Sequence, residues 1–281
     1  MGSYIMQLQT SPNEAELLFR ELLIGVTRFF RNPEAFDTLK SDALSPLLAE
    51  LPPDAPLRIW VAGCSTGEEA YSIAILVKEC MAEASTRLQV QIFATDIDKK
   101  AIEIARAAVY PNTIEADVSS DRLERYFTKE DDHYRINKNI RDMCLFSVHN
   151  VIKNPPFSKI DILSCRNLLI YFQPELQRNL LALFHFALQA DRYLFLGPSE
   201  NVMTQSLSFA HVSKRFRLYR RRDTAARLPS IALSRTPNII SESRMTPPVG
   251  NDLDRRTARA LAAYSPACIV LDQNLEPIPE V

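Results

Sequence analysis

Between residues 57 and 196, short apolar runs alternate with amphipathic stretches, and few folds accept that order. Leu57 to Ala62, Val90 to Thr95, Ile160 to Cys165 and Tyr193 to Leu196 are too short for helices and mostly apolar. Such runs suit strands covered on both faces. Between them, Glu68 to Glu83, Asp98 to Ala108 and Pro174 to Ala190 carry apolar residues at helical spacing. A strand that alternates with a helix in this way builds a parallel sheet with helices on both faces, an α/β, Rossmann-like architecture. Phe209 to Arg222 suits an antiparallel strand pair at the edge of that sheet. One stretch breaks the alternation. A short helix from Ser119 to Phe127, then strands from His133 to Asn137 and Met143 to Val148, read as a small inserted β-subdomain at about residues 110 to 150.

The flanks have a different character. Residues 1 to 50 read as a short helical region. Ser11 and Glu14 form a capping box for one helix, and Asn32-Pro33 opens a second with Ala35, Phe36, Leu39, Ala43 and Leu44 on one face. Pro52, Pro53 and Pro56 end it, so the α/β domain is expected over 51 to 222. Residues 223 to 257 hold four prolines with many Ser, Thr and Arg, which marks a linker. From 258 to 281 the chain turns apolar again, with a strand at Ala267 to Asp272, like the start of a further domain.

Composition narrows the partners. A formal net charge of −1 argues against nucleic acid. No run of 18 apolar residues occurs and no basic-then-apolar leader opens the chain, so neither membrane insertion nor secretion is expected. The five cysteines are odd in number and form no CxxC pair, which reads as reducing cytosol without a zinc site.

The chemistry concentrates at Val61-Ala-Gly-Cys-Ser-Thr-Gly-Glu-Glu-Ala-Tyr71, where a strand enters a glycine-bearing turn that opens a helix. Gly63 and Gly67 permit a tight turn and a close approach to a ligand at the carboxyl end of the strand. The spacing differs from a dinucleotide fingerprint, and no lysine makes the loop a phosphate cradle. Glu68 and Glu69 would repel a pyrophosphate and suit a ligand with a positive centre, such as a sulfonium with an ammonium. The next strand ends in Asp96, which can accept both ribose hydroxyls of a nucleoside or cap the following helix; Asp98 is better placed for capping.

Thr27-Arg-Phe-Phe-Arg31, Gly67-Glu-Glu-Ala-Tyr-Ser-Ile73, Ala94-Thr-Asp-Ile-Asp98, Cys165-Arg-Asn-Leu-Leu-Ile-Tyr-Phe172 and Gly197-Pro-Ser-Glu-Asn201 occur in order over residues 20 to 220. Together they resemble the successive signatures of the CheR family, chemotaxis receptor glutamate methyltransferases. The resemblance implies a class I methyltransferase sheet and the cofactor S-adenosylmethionine, with S-adenosylhomocysteine as product. It implies cofactor contacts at Thr27, Arg31, Glu68 and Asp96, at Asn150 with Val151, and at Arg166 with Asn167. In the family an asparagine commonly sits two places before the threonine, where this chain has Gly25. The tail from residue 258 is similar to the start of a PAS domain, as in hybrid signalling proteins.

The reaction so implied is methyl transfer to a glutamate carboxylate on the cytoplasmic domain of a chemotaxis-type receptor. That carboxylate is ionised at neutral pH, so no general base is required. Tyr171 either orients the incoming carboxylate or packs in the core. Arg31 pairs with the cofactor's carboxylate or with the substrate's. Two rival motifs fare worse. Asn154-Pro-Pro-Phe157 imitates a nitrogen-methyltransferase signature but precedes its strand, so it reads as a turn. Lys214 to Arg222 is basic, yet alternation with Phe216, Leu218 and Tyr219 marks the solvated face of an edge strand. A cofactor-binding signalling module without turnover is the alternative function. Some CheR proteins also dock on a receptor's C-terminal pentapeptide through the β-subdomain. Here the turn between Phe127 and Tyr134 is short, acidic and without glycine, so no such tether is expected.

Overall fold

In the computed structural model, residues 25–52, 55–202 and 206–223 are described, together with Thr10, Ser11 and Glu14. The expected first helix is therefore represented by those three residues alone, where Ser11 Oγ and O accept from the Glu14 amide as a capping box requires. The expected linker beyond Asp223 and the PAS-like tail lie outside the described residues.

Ten strands and seven α-helices are described. The strands are β1 (Leu57–Ala62), β2 (Val90–Asp96), β3 (Val109–Pro111), β4 (Phe127–Glu130), β5 (His133–Ile136), β6 (Cys144–Val148), β7 (Ile160–Cys165), β8 (Leu188–Leu196), β9 (Phe209–Ser213) and β10 (Leu218–Arg221). The helices are α1 (Pro33–Leu39), α2 (Ser45–Glu50), α3 (Glu68–Glu83), α4 (Lys99–Ala107), α5 (Ser120–Tyr126), α6 (Lys138–Arg141) and α7 (Pro174–Ala187). Seven strands form a mixed sheet in the order β6-β2-β1-β7-β8-β10-β9, and three form a small sheet in the order β3-β5-β4. Every residue of β1 and β7 is buried, as a strand covered on both faces demands. The α/β, Rossmann-like sheet expected from the alternation is present.

The chain divides into two compact units. One comprises the chain up to Pro56 with Val61–His149; the other comprises Leu57–Trp60 with the chain from Asn150 onward.

In the first unit, α1 runs through a π-helical segment, Lys40–Leu44, directly into α2. The five residues expected on one face, Ala35, Phe36, Leu39, Ala43 and Leu44, are all buried. β2 and β6 pair in parallel from Ile92 with Cys144 to Asp96 with Val148, and α3 and α4 pack on them. This corrects the sequence reading, which placed Met143 to Val148 inside the inserted subdomain. The inserted sheet instead gains two strands that periodicity did not reveal, β3 and β4, both antiparallel to β5. Each is too short to show alternation. The Phe127 to Tyr134 connection is thus largely strand, with a two-residue turn at Asp131 (φ 37°) and Asp132.

In the second unit, β7 and β8 are parallel, β8 and β10 antiparallel, and β10 and β9 antiparallel. The helix expected to reach Ala190 stops at Ala187, and β8 starts at Leu188, five residues ahead of its apolar core. The pairing of Leu188 with Ile160 explains the early start: a register shift follows, and Asp191 (φ 60°) absorbs it. The basic stretch also sits differently. β10 lies between β8 and β9, with Leu218 and Tyr219 buried, so β9 is the edge. Arg220 instead meets Asp191, while Arg221 donates to the Leu188 carbonyl. Asn154 to Phe157 is loop, as expected, and Phe157 packs edge-on against Trp60 at 5.1 Å. A polar cluster is buried here too. Asp161 accepts from the Arg58 amide at 2.9 Å and from Arg192 at 3.1 Å, which compensates its burial.

Candidate functional site

In the first unit, the segments that follow Ala62 at the end of β1 and Thr95 near the end of β2 are locked together by hydrogen bonds. The amides of Gly63 and Cys64 both donate to the Thr95 carbonyl, at 2.8 and 2.9 Å. The turn bends through positive φ at Gly63 (78°), Ser65 (48°) and Gly67 (99°). The sequence reading gave the glycines to ligand approach. For Gly67 the structure assigns the space to the protein: a Cβ there would meet Ala105 Cβ at 2.9 Å, Tyr110 Oη at 3.1 Å and Phe146 Cε1 at 3.2 Å.

Two half-buried carboxylates stand at this loop. Asp96 Oδ2 accepts from the Ser65 amide at 2.7 Å, and Oδ1 from the Asp98 amide at 2.9 Å. Asp96 does not cap α4, because Asp98 does so through the Lys100 amide. The Asp96 carboxylate has acceptor sites beyond those two amides, which a ribose hydroxyl could use. Burial nevertheless pushes its carboxyl above the usual range, against the pull of those amides. Glu68, the first residue of α3, takes a hydrogen bond from Thr66 Oγ1, which lies 2.8 and 2.7 Å from its two oxygens. Burial raises its pKa as well, and the Asp117 charge adds to that. A desolvated carboxylate gains most from a cationic ligand. The cationic end of S-adenosylmethionine would suit Glu68 and its ribose Asp96, whereas a phosphate would suit neither.

Thr27 and Arg31 lie on the segment that enters this unit. Thr27 is half-buried, and Arg31 Nη1 donates to the Val26 carbonyl at 2.9 Å. Phe29 and Phe30 between them are buried, and the Phe30 amide donates to Ser72 Oγ on α3 at 2.9 Å. Gly25, where the family commonly has asparagine, accepts from Ser65 Oγ at 3.2 Å, so this segment touches the glycine loop through its backbone.

The other candidates belong to the second unit. Asn150 opens a turn in which its Oδ1 accepts from the Ile152 and Lys153 amides, and Val151 is half-buried beside it. Arg166 is buried, its guanidinium 4.8 Å from the centre of the Phe195 ring. Asn167 adopts φ 59°, and its amide donates to Glu200 Oε2 at 3.0 Å. Tyr171 ends the 3-10 turn Leu169–Tyr171 and is 52% exposed, which is incompatible with a core-packing role.

Glu200 carries no role in the sequence reading, although it stands in the Gly197 to Asn201 signature. It is buried, and its carboxylate accepts from three amides: Leu169 at 2.7 Å, Asn167 at 3.0 Å and Gly197 at 2.6 Å. Two of these bonds hold the Arg166 to Leu169 segment, and the third ties Gly197 to the same carboxylate. Among the described residues no cluster of His, Cys, Asp or Glu could hold a metal, and no helix is long and apolar enough to cross a membrane.

Residues 25–217 match the family described as CheR methyltransferase, SAM binding domain. The chemotaxis protein methyltransferase of Borreliella burgdorferi is 33% identical over 206 residues, which cover 71% of this chain and 73% of that protein. That of Salmonella typhimurium is 33% identical over 209 residues, covering 71% and 69%. A 104.1 kDa uncharacterized protein of Rhodobacter capsulatus is 40% identical over 219 residues, and there the matched part of this chain spans 23% of the relative's length. A solved S-adenosylmethionine-dependent methyltransferase from Mesorhizobium loti aligns with a TM-score of 0.30 at 18% identity, over 54% of this chain and 50% of its own. The chain belongs to the CheR methyltransferase family, and residues 25–217 are its S-adenosylmethionine-binding domain.

Proposed function

We propose that this protein transfers a methyl group from S-adenosylmethionine to glutamate side chains on the cytoplasmic domains of chemotaxis-type receptors, and works in the cytoplasm. The observation that carries the reading is the pair of desolvated carboxylates, Glu68 and Asp96, at a glycine loop with no phosphate-binding group. Asp96 would take the ribose hydroxyls and Glu68 the cationic end of the cofactor. Thr27, Arg31, Asn150, Val151, Arg166 and Asn167 are assigned to the cofactor by family resemblance, and Gly63 by its place in the glycine turn. Arg31 serves the carboxylate of either cofactor or substrate.

When bound, the cofactor supplies an electrophilic methyl on a sulfonium, which departs with its bonding electrons as the neutral thioether of S-adenosylhomocysteine. A receptor carboxylate, ionised well above its usual pKa of about 4.3, provides the attacking oxygen and surrenders no proton. The protein's task is then alignment, which is worth about 7 kcal/mol or more in favourable cases. Tyr171 is the residue proposed to meet that carboxylate, since its exposed hydroxyl is free to donate to one oxygen and direct the other. Glu200 would steady the backbone that leads to it.

Incubation with methyl-labelled S-adenosylmethionine and receptor cytoplasmic domains tests the reading. Base-labile label on the receptor is the expected result, since an ester hydrolyses where an N-methyl group does not. Tight binding of S-adenosylhomocysteine without any transfer would favour the non-catalytic signalling module instead.

A further inference from the structure

Tyr110 belongs to β3 of the small sheet, yet its hydroxyl donates to the Thr66 carbonyl in the glycine loop at 2.7 Å. The contact bridges 44 residues of sequence and closes a short chain of polar groups. Tyr110 holds the Thr66 carbonyl, and the Thr66 hydroxyl shares its proton between the two oxygens of Glu68. The phenol is hemmed in. Phe29 stands edge-on to it at 4.9 Å, Tyr71 at 6.2 Å, and Gly67 leaves room for the hydroxyl only by lacking a Cβ. Tyr71 is itself tied to the Ala105 carbonyl at 2.8 Å, so the ring has no space in which to pivot.

We propose that Tyr110 is a positioning residue of the cofactor site: its hydroxyl fixes the Thr66 peptide, and through it the orientation in which the Glu68 carboxylate meets the cationic end of S-adenosylmethionine. The inference rests on the assignment of Glu68 to the cofactor made above. It gives the inserted sheet a part in cofactor binding that lies apart from any docking of receptor.

Tyr110→Phe deletes one oxygen and keeps the ring, so it separates packing from positioning. The half-buried Thr66 carbonyl then loses its donor, and Thr66 turns away from Glu68. S-adenosylhomocysteine, titrated calorimetrically into the full chain, is expected to bind about tenfold more weakly, the effect of one ordinary hydrogen bond. Thr66→Val should weaken it similarly, and the double variant little more than either, because both break one relay.

A second readout follows from charge. The Thr66 hydroxyl stabilises the Glu68 carboxylate, while burial and the Asp117 charge oppose it; Arg28 lies 3.8 Å from Asp117 and Tyr110 faces the same loop. Loss of the relay therefore lets the carboxyl protonate at higher pH. The acid limb of S-adenosylhomocysteine affinity should move to higher pH in Tyr110→Phe and Thr66→Val alike. A Tyr110→Phe protein with lowered Tm but unchanged affinity and pH limb would overturn the positioning role alone, as would additive effects of the two substitutions. Wild-type protein that binds no S-adenosylhomocysteine would overturn the cofactor reading and this one with it.

Discussion

Asp96 organises the glycine loop and is proposed to take the ribose of the cofactor, and the two roles have consequences that can be told apart. Its oxygens already hold the Ser65 and Asp98 amides, so the group organises the loop before any ligand arrives. Asp96→Ala should weaken S-adenosylhomocysteine binding by roughly 1.5–3 kcal/mol for each charge-assisted bond lost, and lower Tm because two amides lose their acceptor. Unchanged affinity by calorimetry would remove Asp96 from the cofactor site. Glu68 sets the pH response. Its folded-state pKa is raised above 4.5 by burial, and a cationic ligand requires the ionised form. Affinity should therefore be full at neutral pH and fall as pH drops through that raised value, beginning above the usual glutamate range. A Glu68→Gln protein should bind more weakly at pH 7 and lose this acid limb; calorimetry from pH 8 to 5 that shows the same limb in both would refute it. Tyr171→Phe should leave S-adenosylhomocysteine affinity intact while kcat falls about tenfold or more, the contribution expected of a hydroxyl that orients the nucleophile. Equal turnover with a verified receptor substrate would leave the hydroxyl without a role.

The junction of β1 and α3 shows how elements constrain one another. Gly67 occupies φ 99°, and the space of its missing Cβ is filled by Ala105 of α4, Tyr110 of β3 and Phe146 of β6. Three elements therefore close on one residue. Gly67→Ala combines left-handed strain with a 2.9 Å contact and should cost about 1–3 kcal/mol, read as a lower urea midpoint at unchanged slope. An unaltered midpoint would mean that α4 retreats freely. The long elements were legible from pattern: β1, α3 and β7 fall where periodicity put them, and Asp98 caps α4 as its chemistry required. β3 and β4 were not. They have three and four residues, alternate too briefly to register, and exist because β5 offers hydrogen-bond partners on both sides. The early start of β8 has the same cause, since Gln189, Ala190 and Asp191 are exposed and show no strand pattern but lie on a strand that pairs with β7.

At the scale of the whole molecule, the small sheet bears on how the receptors proposed as substrates would be reached. Peptide addition to a sheet needs a long free edge. The small sheet has β5 at its centre, so the edges are β3 and β4, and β6 belongs to the large sheet. Sequence reading placed any such docking on the small β-subdomain, and β4 is one of its two edges. That strand spans four residues, and Lys129 and Glu130 are already engaged by Glu115 and by Arg135 with His133. We propose that receptors are methylated without a C-terminal peptide tether. Titration of such a pentapeptide should give no saturable binding; affinity in the low-micromolar range, about 8 kcal/mol, with contacts on β4 would refute the idea.

Residue order alone was enough for the α/β alternation, the glycine loop, the acid at the tip of β2 and the family resemblance, because each is a local pattern of polarity and turn chemistry. It could also place Glu200 within a signature, but not say what its carboxylate touches. Contacts across long sequence separations required the folded chain: three amides converging on Glu200, Tyr110 reaching Thr66, and Gly67 giving up its side chain to Tyr110 and Phe146. These partners lie 3 to 79 residues apart, and no periodicity records which of them meet. Strand pairing is subject to the same rule. Whether a short segment becomes a strand depends on the hydrogen-bonding edge it finds, which is a property of the neighbour rather than of the segment.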